Sequence, residues 1–435
     1  MKKKLSALAF GILLAGCGGS GGGKEEKPPQ GVNPTTPVVT AEVKFTSSCE
    51  VEEPAEGIRF IAHGADGSII DEIKTDSEGK VSIPWDGDKK HLTIAFEEDD
   101  GGATQVTTRL ELSEGDLGVQ RIYRSNLDEQ CECKTLSFDI SDIENQLFNT
   151  DLYLENRKYQ DGDTRTICKT NGRYPLISFS AVSQDSSIPP RSNTLDYNNY
   201  PDEPTRVRLD SSMFFADISR SSMLDVNYIS SSLDVRKRTF AETRDGRKAW
   251  LKWDEQPYIF PNLYENNFVT GGLFEYVESS DNGDIYYSSQ RRKRVGSTAG
   301  TITIEVPENQ SLMLEKTVEL LVALTEDSQI TYDFTDIGAG RSLVSLNLSL
   351  SNGASWQVRS PLSGVLPDLE LPEDVKSAFE ATDSADFYLT VFGYHSGLNA
   401  NEFRRKTAEI NRMNLEVRSS FYDNYEEDTI YVFPN

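Results

Sequence analysis

Cysteines, histidines and charged runs are the residues of this chain whose type and spacing can be read as chemistry. Besides Cys17, the cysteines are Cys49, Cys131, Cys133 and Cys168, an even four. Four thiols allow three pairings. Cys131 and Cys133 stand two apart, so on a strand they share a face and cannot bond each other. The favoured set is Cys49 with Cys131, closing a first domain, and Cys133 with Cys168, pinning the start of a second. A zinc ribbon needs C-x₂-C knuckles, which C-x-C is not, and no metal or cofactor is expected. His63, His91 and His395 are scattered and form no H-E-x-x-H motif, so each reads as a strand-end or surface histidine before it reads as a general base. In Gly296-Ser297-Thr298-Ala299-Gly300 the serine is second, not third, and the nucleophile elbow is missed. Seventy carboxylates still allow a glycosidase-type pair to converge in space, which makes a glycan-active hydrolase in the second region the alternative function. The acidic turns Glu97 to Asp100, Asp161 to Asp163 and Asp281 to Asp284 suit Ca²⁺ by ligand type, but none spells an EF-hand and solvated turns explain them. Two basic runs stand out, Arg236 to Arg238 and Arg291-Arg292-Lys293-Arg294. Solvated strand ends account for such runs. The functional reading of Arg291, Arg292, Lys293 and Arg294 is an anion site for lipopolysaccharide phosphates or acidic glycans, with Tyr286 and Tyr287 as stacking platforms. The tract Asp196 to Asp202, with Tyr197 and Tyr200, reads as a loop and then as an aromatic contact loop.

The elements that position these groups begin with an address. Lys2 to Lys4 form a charged start, Leu5 to Leu14 a short apolar run and Ala15-Gly16 a small-residue end, the order of parts in an export signal. Ten or so apolar positions are too few for a span, which needs ~20. Leu14-Ala15-Gly16-Cys17 resembles the lipobox of bacterial lipoproteins. The resemblance implies removal of residues 1–16, acylation of Cys17 and, with Gly18 in place of an aspartate, sorting to the outer membrane. Residues 17–40 are Gly-rich and then Pro-rich, a leash that is flexible near the lipid and stiffer beyond it. With 44 Lys+Arg against 70 Asp+Glu, the net charge is −26. Such a polyanion repels phosphate backbones, so nucleic acid is not an expected partner.

The rest reads as all-β. Residues 41–132 carry about seven short alternating strands punctuated by Asp-Gly turns, the size of one β-sandwich. Asp66-Gly67 and Thr75-Asp76-Ser77-Glu78-Gly79 followed by Lys80 to Ile83 resemble the transthyretin-like or carboxypeptidase-regulatory-like domain, in which T-D-x-x-G closes a hairpin. The resemblance implies a spacer or binding module rather than a catalyst. Residues 133–435 form a larger antiparallel β region, as a sandwich, a barrel or a degenerate propeller, with room for two subdomains. In Leu343 to Leu350, Val344, Leu346, Leu348 and Leu350 face one way while Ser345, Asn347 and Ser349 face water. The one expected helix follows Pro372. The reading favoured is a lipid-anchored outer-membrane protein, facing periplasm or cell surface. It is a non-catalytic binding or assembly module whose partner is a glycan or an envelope protein, besides the membrane itself.

Overall fold

The computed structural model describes residues 37–98, 102–155, 157–232, 234–243, 248–253, 257–280, 283–296, 300–324, 329–380, 384–412 and 419–434. The leader, Cys17 and nearly all of the leash lie outside the described residues.

An open sheet of twelve strands dominates the molecule. In chain order these are β1 (Arg59–His63), β2 (Ile69–Lys74), β3 (His91–Glu97), β4 (Thr104–Arg109), β5 (Arg236–Glu242), β6 (Lys248–Trp253), β7 (Asn266–Ser280), β8 (Gly283–Val295), β9 (Leu343–Leu350), β10 (Ser355–Ser360), β11 (Ala385–Gly393) and β12 (Asn424–Phe433). Across the sheet they run β6-β5-β7-β8-β12-β11-β9-β10-β4-β3-β1-β2. One face is packed by the main core, in which Val344, Val358, Leu389, Val391 and Ile430 meet Met313 and Leu320.

The expected first sandwich is present. Val38–Thr46 pairs with Lys80–Pro84 and with Gly115–Tyr123, and its buried Val39, Ala41 and Val43 meet Phe60, Ala62, Leu92 and Ile94 of β1 and β3. The T-D-x-x-G hairpin has a physical cause at each position. The Thr75 hydroxyl donates to the Ala55 carbonyl and accepts from Ile58 N–H. Asp76 accepts the backbone N–H groups of Glu78 and Lys80 at 2.9 and 2.8 Å. Gly79 sits at φ +73°, where an added Cβ would stand 2.3 Å from the Val43 carbonyl oxygen, so the turn requires glycine.

The sandwich does not end in a free edge at β4. Strand β4 pairs with β10, Gln105 against Ser355 through Arg109 against Arg359, and does so in parallel. Parallel pairing also joins Val38–Thr46 to Gly115–Tyr123 and Asp225–Ile229 to Thr301–Glu305, while antiparallel pairing, with local exceptions of this kind, prevails in residues 133–435 as expected. Period-2 alternation reports which face a residue takes, not which way its neighbour runs. A second small core gathers Leu136, Phe138, Phe179, Tyr197 and Phe214 between a four-stranded and a three-stranded sheet.

Four α-helices occur among the described residues: α1 (Ser141–Gln146), α2 (Gln310–Ala323), α3 (Glu373–Glu380) and α4 (Ala400–Asn411). Only α3 was expected. Helix α2 buries Met313, Thr317, Leu320 and Leu321 at helical spacing. Helix α4 opens on a capping box in which Asn399 accepts from Glu402 N–H and the Glu402 side chain accepts from Asn399 N–H.

The disulfides are Cys49–Cys131 and Cys133–Cys168. The second lies across a register pair of the Cys133–Asp139 and Thr164–Cys168 strands. By the loop-entropy argument each stabilises the fold by about 2 to 5 kcal/mol.

Candidate functional site: a tyrosine and amide row

Because every second residue of a strand points to the same face, neighbouring strands in register line up their side chains in transverse rows. On the face of the large sheet opposite the main core, one such row runs through seven strands. Tyr276 of β7 stands against Tyr286 of β8, Tyr286 against Tyr431 of β12, and Tyr431 against Tyr388 of β11. Tyr388 then stands against Asn347 of β9, Asn347 against Gln357 of β10, and Gln357 against Thr107 of β4. Phe274 and Phe433 flank the aromatic half. Phe274 stacks on Tyr286 at 5.5 Å and Tyr431 on Phe433 at 6.0 Å, while Tyr388 meets Tyr431 edge-on at 5.4 Å. Phe274 is 43% exposed and Tyr276 53%; the other members of the row are half-buried.

The row stays open because α4 covers the same face only further along the strands, where Leu343 of β9 and Phe392 of β11 meet Ala400 and Phe403. At its polar end lies a depression of about 250 Å³ lined by Phe96, Gln105, Thr107, Asn347, Ser349 and Gln357, among others. There Gln357 donates to Asn347 Oδ1 at 2.7 Å, and Asn347 donates to the Ser345 hydroxyl at 3.2 Å. Burial, and for Tyr388 the neighbouring Asp386 carboxylate, hold the hydroxyls of Tyr388 and Tyr431 above the usual tyrosine range, so both remain neutral donors. The chemistry on offer is flat π faces beside uncharged groups that both donate and accept hydrogen bonds.

On this face Asp284 of β8 stands opposite Phe433 of β12, two strand spacings or ~10 Å from Asp386, while Asp386 and Glu427 stand further apart. Asp386 lies opposite Ser349, and Phe387 opposite Val432, which puts Asp386 beside Phe433, six residues along β12 from Glu427. At ~3.3 Å per residue that is ~20 Å, far beyond the ~5 to 9.5 Å of a glycosidase pair. On the opposite face, Asp428 is fully buried and accepts from Tyr287 at 2.7 Å, Arg291 at 3.1 Å, Asn309 at 3.4 Å and Arg341. Glu426 faces Arg341 at 3.4 Å and Arg291 at 3.9 Å and meets His395 Nδ1 at 2.9 Å. Both carboxylates are engaged as counterions of arginine.

No family model matches the chain and no curated protein does. Among solved structures, two B repeat units of the collagen-binding protein of Staphylococcus aureus align at 9% identity over 81% of this chain and 92% of that one, with a TM-score of 0.13. At that score the two backbones do not superpose as one fold.

The structure separates the run Arg291 to Arg294 by strand alternation. Arg291 is buried on the core side. Arg292 and Arg294 lie against Phe268, with Tyr425 beneath Arg292, and Arg294 pairs with Asp423. Lys293 is exposed, and the four form no common anion pocket. Of the two adjacent tyrosines, Tyr286 joins the open row while Tyr287 is buried. Tyr197 is core, its hydroxyl donating to the Pro204 carbonyl, so the expected contact loop is a structural one. His63 lies buried between the Gly67 carbonyl and the Thr93 hydroxyl, and burial pushes it down to about 4. Among the described residues no three His, Cys, Asp or Glu side chains gather as metal ligands. Asp161 pairs with Arg206, and Asp163 accepts from Gln160 N–H; part of each of the other two acidic turns lies outside the described residues.

Proposed function

We propose that this chain is a lipid-anchored, non-catalytic binding module that presents the open face of its large sheet to a glycan. The single observation that carries the binding reading is the in-register row from Tyr276 to Gln357. Aromatic faces stack on the C–H surfaces of sugar rings, and side-chain amides match the paired donors and acceptors of sugar hydroxyls. An aromatic row in which Phe274 and Tyr276 are exposed and the other rings half-buried is a surface that suits an occupant. The anchor rests on the leader and on Cys17, and places the body at the outer membrane on a leash. Residues 41–132, with Thr75, Asp76 and Gly79 in the transthyretin-like hairpin, act as the spacer that the second region is built onto.

The experiment is a glycan array probed with the Cys17→Ser protein and its Tyr388→Ala/Tyr431→Ala variant, beside a panel of hydrolase substrates. Saturable binding lost in the variant, without turnover, supports the reading. Turnover abolished by changing one acid to its amide overturns it. Mass spectrometry of the mature wild-type N-terminus tests the anchor, for which diacyl or triacyl mass on Cys17 is expected and an intact leader is the contrary result.

A further inference from the structure

Three arginines converge under α4 without a carboxylate among them. Arg109 ends β4 and Arg359 lies on β10 directly opposite it, both on the face that carries the tyrosine row. Arg404 reaches in from α4 and donates to the Arg359 carbonyl at 3.0 Å, to Asn401 Oδ1 at 3.2 Å and to the Glu111 carbonyl at 3.4 Å. Arg109 is 8% exposed and donates only to the neutral Gln120 amide, at 2.8 Å. The Arg359 guanidinium makes no hydrogen bond or ion pair among the described residues, and the Nε atoms of both Arg359 and Arg404 are buried without an acceptor. Among the described residues no carboxylate oxygen lies within 4.0 Å of any of the three guanidiniums. The ionisable groups around them are Glu111, Tyr332, Tyr394 and a His91 that burial holds below its ordinary range. Burial first, and then the two neighbouring guanidiniums, push Arg109 down to about 9, the direction expected of a crowded, uncompensated cation.

We propose that Arg109, Arg359 and Arg404 form an oxyanion-binding site at the edge of the glycan platform. The guanidinium of Arg359, which makes no bond, and the remaining donors of Arg109, which makes one, and Arg404, which makes three, are planar donors of the kind that phosphate, sulfate and carboxylate oxygens accept. Arg359 and Arg404 keep partial exposure, so an anion can enter from solvent. Arg359 stands two residues from Gln357 of the row, close enough for the acidic substituent of a glycan lying on the platform. The site itself stands on its own residues, and only its use by a glycan rests on the platform reading.

The test is calorimetric titration and thermal unfolding of the full chain with sodium sulfate and sodium phosphate, against sodium chloride at matched ionic strength. Glucuronate and a sulfated oligosaccharide beside their neutral counterparts separate a free anion from a glycan substituent. The expected result is a saturable rise in Tm with oxyanion but not chloride, weakened at least tenfold in Arg359→Gln and in Arg404→Gln, while neutral-glycan binding is retained. Tyr431→Ala is expected to keep the sulfate response, so failure of the platform and failure of the anion site are distinguishable. A Tm that follows ionic strength alone, or an oxyanion response unchanged in both arginine variants, overturns the proposal.

Discussion

Buried arginines occur on both faces of the large sheet, and the two faces treat them in opposite ways. On the core side, Arg291 and Arg341 are met by Asp428 and Glu426, with Tyr287 and Asn309 completing the bonds to Asp428. Every strong charge there has its counterion supplied by the chain. On the platform side, Arg109 and Arg404 donate only to side-chain amides and backbone carbonyls, and the Arg359 guanidinium has no partner among the described residues. In the main core the buried guanidiniums are met by the opposite charge. The proposed oxyanion site rests on the guanidiniums of the second cluster, for which the described residues supply no carboxylate.

The largest expected effect breaks the closed cluster. Asp428→Asn removes the nearer of the two carboxylates that face Arg291 and Arg341, and a destabilisation of about 3 to 5 kcal/mol is expected in urea unfolding. A loss below about 1 kcal/mol would mean that water, not Asp428, compensates those arginines.

His63 belongs with the unpaired groups, because its neighbours are a carbonyl and a hydroxyl. Its ordinary value of 6.5 falls to about 4 in the fold, so between those values the unfolded chain binds the extra proton and stability rises with pH. The contribution is complete above pH 6.5 and is lost as pH falls toward 4, by about 3 kcal/mol. Comparing the pH dependence of unfolding for the wild type and His63→Gln isolates this slope from that of the carboxylates, and equal slopes would contradict it.

The smallest expected effect on stability comes from the open cluster. Arg359→Gln in oxyanion-free buffer relieves repulsion while removing packing, and the two offset to within about 1 kcal/mol. Arg341→Gln, an identical substitution in the closed cluster, is expected to cost about 3 kcal/mol. Equal losses in the two variants would erase the distinction between the clusters.

Local features were legible in the sequence. Alternation in Leu343 to Leu350 showed which residues face the core, and that assignment placed Ser345, Asn347 and Ser349 on the platform. The hairpin at Thr75 to Gly79 and the separation of Cys131 from Cys133 were equally local. The same period-2 rule, applied to Arg291 through Arg294, would have divided that run between two faces. Asn399 and Glu402 also spell a capping box that could have announced α4. The row itself was not legible, because Tyr276, Tyr286, Tyr388 and Tyr431 belong to four strands whose order and register are fixed by long-range pairing. Arg109 and Arg359 meet only through the parallel pairing of β4 with β10, which no local pattern encodes.

The central claim is that the tyrosine and amide row is the binding surface. Its most direct test is calorimetric titration of a neutral glycan selected on the array into the Cys17→Ser protein and into Tyr388→Ala/Tyr431→Ala, two half-exposed positions whose loss leaves the main core intact. Stacking losses predict binding weakened by at least tenfold, with unfolding midpoints that stay close together. Undiminished affinity in a folded double variant would contradict the account.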